Sequence, residues 1–178
     1  MSILGSTTVN CDSILPIGGV PSGASGGGII QCVQTTVTST DSTSSESYID
    51  LTGMSATITP RSSSNKILVV MTIGSQGSQT TPRPLMYRVL RGATAIGQGL
   101  TDRGGSCSFS SVNYTAGYVA GGYTWTFLDS PATTSATTYK LQWKTYSNTA
   151  YFNRGNENGT GSYNVNGSSR VLLMEVSG

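Results

Sequence analysis

Eight carboxylates are the first place to look for chemistry: Asp12, Asp41, Glu46, Asp50, Asp102, Asp129, Glu157 and Glu175. A glycosidase needs two of them facing one sugar across roughly 5–9.5 Å. Asp102 beside Arg103, and Glu157 within the Asn- and Gly-rich run 153–159, are the loop candidates, and neither sits in a motif. An acid in a turn ordinarily accepts a local backbone hydrogen bond. Asp129-Ser130-Pro131 is expected to be such a strand-ending turn, with the aspartate capping backbone N–H groups. Lys140 and Lys144, formally available for a Ser–Lys dyad, fall in the polar register of a strand, where a solvated amine is expected. Calcium takes six to eight oxygens, and the Asn/Glu cluster at 153–158 lacks the charge for it. The chain has no histidine, which removes His-ligated zinc, a Ser-His-Asp triad and imidazole pH switching. Cys11, Cys32 and Cys107 are odd in number and far apart. They are expected as buried free thiols in a protein assembled in a reducing compartment. The expectation is a protein without catalytic residues, metal or cofactor, and not an enzyme.

Rings and amides are the other chemistry on offer. Tyr146, Tyr151, Phe152 and Tyr163 fall near Asn148, Asn153, Asn156 and Asn158. That mixture of stacking faces and neutral hydrogen bonding suits carbohydrate, and it equally suits a sandwich rim or a subunit interface. The glycan-contact candidates are Tyr146, Tyr151, Phe152, Asn156 and Tyr163, and the expected contact loops are 74–84, 104–108 and 146–163. Asn113-Tyr114-Thr115, Asn158-Gly159-Thr160 and Asn166-Gly167-Ser168 match the glycosylation acceptor pattern, but the start of the sequence has no basic and apolar leader, so turns are expected there.

The elements that must position these groups are strands. Charged residues make up 10% of the chain, against about 25% in ordinary proteins, and exposed helix faces need charge. Ser and Thr take over the solvent face, with 27 and 25 copies among 178 residues. Ile29–Thr40 is rich in Val, Ile and Thr, which fit a pleated surface. A Ser-rich turn over 41–47 then leads to Tyr48–Leu51, and Met54, Ala56 and Ile58 alternate up to Pro60. Lys66–Ile73 is almost continuously apolar, the pattern of a strand buried on both faces. Leu85–Leu90 and Ala93–Leu100 flank a hairpin tip at Arg91-Gly92. Cys107–Val112, Tyr123–Phe127, Tyr139–Lys144, Ala150–Arg154 and Ser169–Val176 complete nine or ten short strands.

That spacing predicts an all-β, antiparallel jelly-roll sandwich over 29–178. Strands apolar on both faces need cover that a helix-free chain does not supply, so a second subunit is expected to provide it. Tyr87, Trp125, Phe127, Trp143, Leu172 and Met174 are the candidates for trimer interface or core. Residues 1–28 differ: seven glycines with Pro16 and Pro21 break any period. This segment is expected to be an extended anchoring arm, with Ile3, Leu4, Ile14, Leu15, Ile17 and Val20 as contacts to a partner; the alternative is a frayed terminus. A net charge of +2 gives no footprint for nucleic acid, and no apolar run approaches the ~20 residues of a membrane span.

The order of several segments carries a resemblance over roughly residues 27–176. Gly27–Thr36, Tyr48–Pro60, Ser64–Val70, Leu90–Gly97, Leu128–Gln142 and Arg170–Val176 follow one another. The chain resembles virion proteins of tailed phages of the marine and cyanobacterial type, which are similar to the trimeric jelly-roll heads of the tumour-necrosis-factor and complement-C1q type. The resemblance implies a homotrimer with the closing strand near the three-fold axis, and brings no catalytic residues. A long fibre would place a shaft before the head, whereas here Met1 precedes it by a short arm. The expectation is therefore a capsid decoration (cement) protein, bound to the major capsid protein on the virion exterior and assembled in the host cytoplasm. The alternative is a tail or head fibre tip that contacts host surface carbohydrate.

Overall fold

The computed structural model describes residues 28–78, 84–99, 107–112, 121–146, 149–155 and 165–178. Ile3, Leu4, Ile14, Leu15, Ile17, Val20, Cys11, Asp102, Glu157, Asn156 and Tyr163 lie outside them. Among the described residues the chain is all-β and antiparallel, without helix. The strands are β1 (Ile29–Val37), β2 (Asp41–Thr43), β3 (Ile49–Ile58), β4 (Lys66–Ile73), β5 (Gln76–Ser78) and β6 (Pro84–Arg91). They continue with β7 (Thr94–Ile96), β8 (Phe109–Val112), β9 (Tyr123–Asp129), β10 (Thr137–Lys144), β11 (Ala150–Phe152) and β12 (Ser169–Val176).

Alternation puts these strands into two facing sheets. The first has the order β1-β12-β4-β9; the second is β3-β10-β6-β7, with β8 also pairing β6. Their inner faces share one core. β4 and β12 supply Ile67, Val69, Met71, Val171 and Leu173, and the second sheet supplies Met54, Tyr87, Val89, Leu141 and Trp143. A third small sheet, β2-β11-β5, extends the first: β2 follows β1, β5 follows β4, and β11 lies between them as β12 lies between β1 and β4.

Two expected loops are strands here. Asp41–Thr43 lies in the expected Ser-rich turn, and Gln76–Ser78 lies in an expected glycan loop. Neither has strong strand propensity. Both become strands because β11 pairs with each of them, so tertiary pairing overrides local preference. β3 joins what alternation shows as two pieces. Its pairing with β10 shifts between Lys140 and Gln142, and Gly53, at φ 81, supplies the backbone for that bulge. The hairpin tip at Arg91-Gly92 forms, with Gly92 at φ 57, but its second strand is only Thr94–Ile96.

Buried polar groups tie the strand ends together. Asn153, fully buried at φ 57, donates from Nδ2 to the carbonyls of Val37 (2.8 Å) and Ser39 (3.0 Å). Its Oδ1 accepts from Ser169 Oγ at 2.6 Å, and that hydroxyl in turn accepts from Gly74 N–H at 2.9 Å. At the opposite end Glu175 is fully buried in the core-facing register of β12. It accepts from Asn65 Nδ2 (2.6 Å), Gln31 Nε2 (2.6 Å) and Arg61 N–H (2.7 Å). Burial alone would raise its pKa, but these bonds and one from the Ser62 backbone outweigh burial and hold the carboxyl below its ordinary value.

Candidate functional site

The outward faces of the two large sheets differ in chemistry. On the first, the register aligns Cys32 with Met174, Met174 with Leu68, and Leu68 with Leu128. The next row runs Gln34, Leu172, Val70, Thr126, and the one after it Thr36, Arg170, Thr72, Thr124. One end of the face is therefore an apolar band across all four strands, and the other is polar. Leu128 is 48% exposed and Ile29, at the edge, 61%. Cys32 is exposed, and Leu68, Val70, Leu172, Met174 and Val176 are half-buried. With strands about 4.8 Å apart, Cys32 to Leu128 spans about 14 Å.

The outward face of the second sheet is polar. Asp50 of β3 lies opposite Gln142 of β10, and Gln142 opposite Arg88 of β6. Asp50 accepts from Lys140 Nζ at 2.7 Å and from Gln142 Nε2 at 2.6 Å. The lysine bond first, then the amide bond, holds its carboxyl below the ordinary range. Gln142 Oε1 accepts from Arg88 Nε at 3.1 Å and also from Nη2. The guanidinium lies over the Tyr48 ring, 4.2 Å from its centroid, with Lys144 Nζ at 5.0 Å from the same ring. Burial, with a smaller contribution from Cys107 and against the pull of Arg88, pushes the Tyr48 phenol up to about 12.

The sequence-predicted residues separate into three groups. Tyr87 and Trp143 are fully buried core residues within one chain, and Leu172 and Met174 face outward on the first sheet. Trp125 and Phe127 are half-buried at the open edge of the sandwich, stacked on each other at 5.6 Å and continuing to Phe109. The glycan loop around Tyr151 and Phe152 is corrected. Both are on β11, Tyr151 being 9% exposed under the Arg154 guanidinium, and Phe152 fully buried, edge-on to Trp143. A strand flanked on both sides by β2 and β5 has no loop surface to offer. Tyr146, just past β10, is 53% exposed.

Two further expectations change. Asp129 is a partner of side chains: Arg91 Nη1 donates to its two oxygens at 2.9 and 3.0 Å, and Tyr139 OH donates at 2.7 Å. It thereby links β9 of one sheet to β6 and β10 of the other. Burial, then this hydrogen bond to a carboxylate, raises the Tyr139 pKa. Cys32 is exposed, not buried, because its register position on β1 faces outward; Cys107 is partly exposed. Sequence reasoning missed Glu175 as a buried carboxylate, although its alternation with Val171 and Leu173 placed it on the core side. It also missed Tyr48, Arg88 and Asp50, which only strand pairing brings together.

Comparisons with known proteins add little. No protein family matches the sequence, and no curated protein matches it. Among solved structures, one similar chain comes from the "Structure of infectious bursal disease virus Gx strain", at 11% identity and a TM-score of 0.36. The match covers 83% of this chain and 42% of that one, so this chain spans less than half the length of its structural neighbour. A likeness of that size establishes neither fold family nor function.

Proposed function

We propose that the chain is a structural virion protein: a jelly-roll head that assembles as a homotrimer and decorates a phage capsid, without catalysis of its own. The two strand orders support the jelly roll, since β7 and β8 share the position beside β6 and each large sheet then has four positions. The observation that carries the proposal is the apolar band Cys32–Met174–Leu68–Leu128 with Leu172 and Val70 beside it. Apolar burial is worth about 25 cal/mol per Å2, and permanent interfaces reach ~2,000 Å2 or more. Three copies is the number carried over from the trimeric heads that the sequence resembles. The arm, residues 1–28, binds the major capsid protein through its apolar pairs.

The test is sedimentation of the full chain at micromolar concentration. A trimer is expected, and L128K combined with M174K gives a smaller species with an unchanged far-UV spectrum. A folded single-copy wild type overturns the proposal. Deleting residues 1–28 leaves the trimer and abolishes binding to shells; retained shell binding counts against the arm. A second reading, a fibre tip that binds host surface glycans, is favoured by the polar outward face of the second sheet.

A further inference from the structure

We infer that the outward face of the second sheet, centred on Arg88, Lys144 and Tyr48, binds an acidic polysaccharide through its carboxylate groups. This inference rests on the glycan-binding reading and sharpens it, moving the site from the loops to a sheet face and naming the sugar class.

Charge is the first argument. The outward face of these strands carries Arg88, Lys140 and Lys144 against the carboxylate Asp50, while Arg91, also on β6, is engaged by Asp129. Among the described residues, cations therefore outnumber carboxylates on this sheet face. Asp50 is already engaged by Lys140 and Gln142. The Arg88 guanidinium meets a neutral amide and a phenol ring, and among the described residues its Nη1 has no hydrogen-bond partner and the group no carboxylate ion pair. The Gln142 amide fixes the plane of the guanidinium, so little side-chain freedom is lost when an anion docks. Tyr48 stays neutral at any physiological pH and does not compete with that anion.

Shape and surroundings select the class. Lys140 and Lys144 are four residues apart on β10, about 13 Å at 3.3 Å per residue, with Gln142 and Arg88 between them. A site of that length engages a run of sugars. The remaining outward groups include Ser55, Thr57 and Thr138, with Thr57 and Thr138 hydrogen-bonded to each other at 2.8 Å. Short hydroxyls and amides hydrogen-bond a hydrated polymer. A protein interface is built around buried apolar or aromatic anchors; β6 contributes Met86 and Leu90 to this face beside the lysines, but the apolar band that crosses four strands lies on the other sheet. A duplex nucleic acid would need many more cations than this face holds.

The experiment measures binding of the full-length protein to polygalacturonate, to the same polymer methyl-esterified, and to neutral dextran, alongside an array of neutral and acidic glycans. Binding to polygalacturonate is expected, weakened by salt and lost on esterification. Exposed ion pairs of this kind correspond to about three- to five-fold in affinity each, so R88Q and K144Q each weaken binding by that factor. D50N strengthens it by about two- to five-fold, because it removes the anion from the face. D50N predicts a gain where loss of structure at the site predicts a loss, and with an unchanged far-UV spectrum it keeps the test decisive if the other variants are unstable. Glycan binding that is indifferent to all three substitutions overturns this site and leaves the glycan reading standing. No binding to any glycan overturns both. Preferential binding to duplex DNA or to an acidic protein overturns the assignment of class.

Discussion

Replacing Glu175 with Gln tests whether a buried, cation-free carboxylate fastens the closing strand. In the native protein one oxygen accepts from Asn65 Nδ2 and Arg61 N–H, and the other from Gln31 Nε2, all at 2.6–2.7 Å. A glutamine in the same rotamer keeps the first two bonds as neutral ones, roughly half as strong. Its amide nitrogen would then confront the Gln31 amide, donor against donor. Gln31 escapes only by flipping, which sacrifices its 2.7 Å bond to the Thr59 carbonyl. Hydrogen bonds to charged groups are worth about 1.5–3 kcal/mol each. Losing one and weakening two, offset by the relief of leaving no charge buried, gives a net cost of about 2–4 kcal/mol at pH 7. The assay is urea unfolding at fixed protomer concentration, since assembly shifts apparent stability. Acid should erase the difference. The folded-state pKa of Glu175 lies below its ordinary value of 4.5, so the unfolded chain takes up the proton first as pH falls. The contribution is complete above about 4.5 and disappears as pH drops through the depressed folded value. Wild type and E175Q therefore converge as pH falls through that depressed value. Equal stability at pH 7, or a gap that persists unchanged into acid, refutes the account.

Two other perturbations follow from the same geometry. Asn153→Ala leaves the Val37 and Ser39 carbonyls and the Ser169 hydroxyl without their partner and places alanine at φ 57; a loss of about 2–4 kcal/mol in urea unfolding is expected, with Asn153→Gly recovering only the backbone part. Gly97→Ala introduces a Cβ 2.5 Å from Trp125 Cζ2 and 3.1 Å from Phe127 at a position with φ 56; a cost of about 2–3 kcal/mol and a changed Trp125 fluorescence spectrum are expected.

The strands whose alternation is uninterrupted were legible from composition and period alone. Tyr139, Leu141 and Trp143 point inward, as their spacing predicts, and Lys66–Ile73 carries apolar residues on both faces. What period could not show is what pairing creates. Asp41–Thr43 and Gln76–Ser78 are strands only because Ala150–Phe152 lies between them, and that same pairing buries Phe152. The bulge at Gly53 reverses the facing of part of β3, so a strict two-residue period splits the strand in two. Of the outward faces, the apolar one was half legible, from Leu172, Met174, Leu68 and Val70. Cys32 and Leu128 join it from strands remote in sequence. The polar face drew on Lys140 and Lys144, which sequence alone presents as ordinary solvated amines, and acquires its character from Arg88 and Tyr48 across two other strands.

The place of β12 has a consequence for biosynthesis. It is the interior strand that separates β1 from β4, so β1 has no partner in the first sheet, and β4 has only β9, until residues 169–176 have left the ribosome. Pairings so distant along the chain are slow to form. The first sheet thus closes last, and until then the nascent polypeptide holds two unpaired margins, on β1 and β4, that chaperones must shield from premature association.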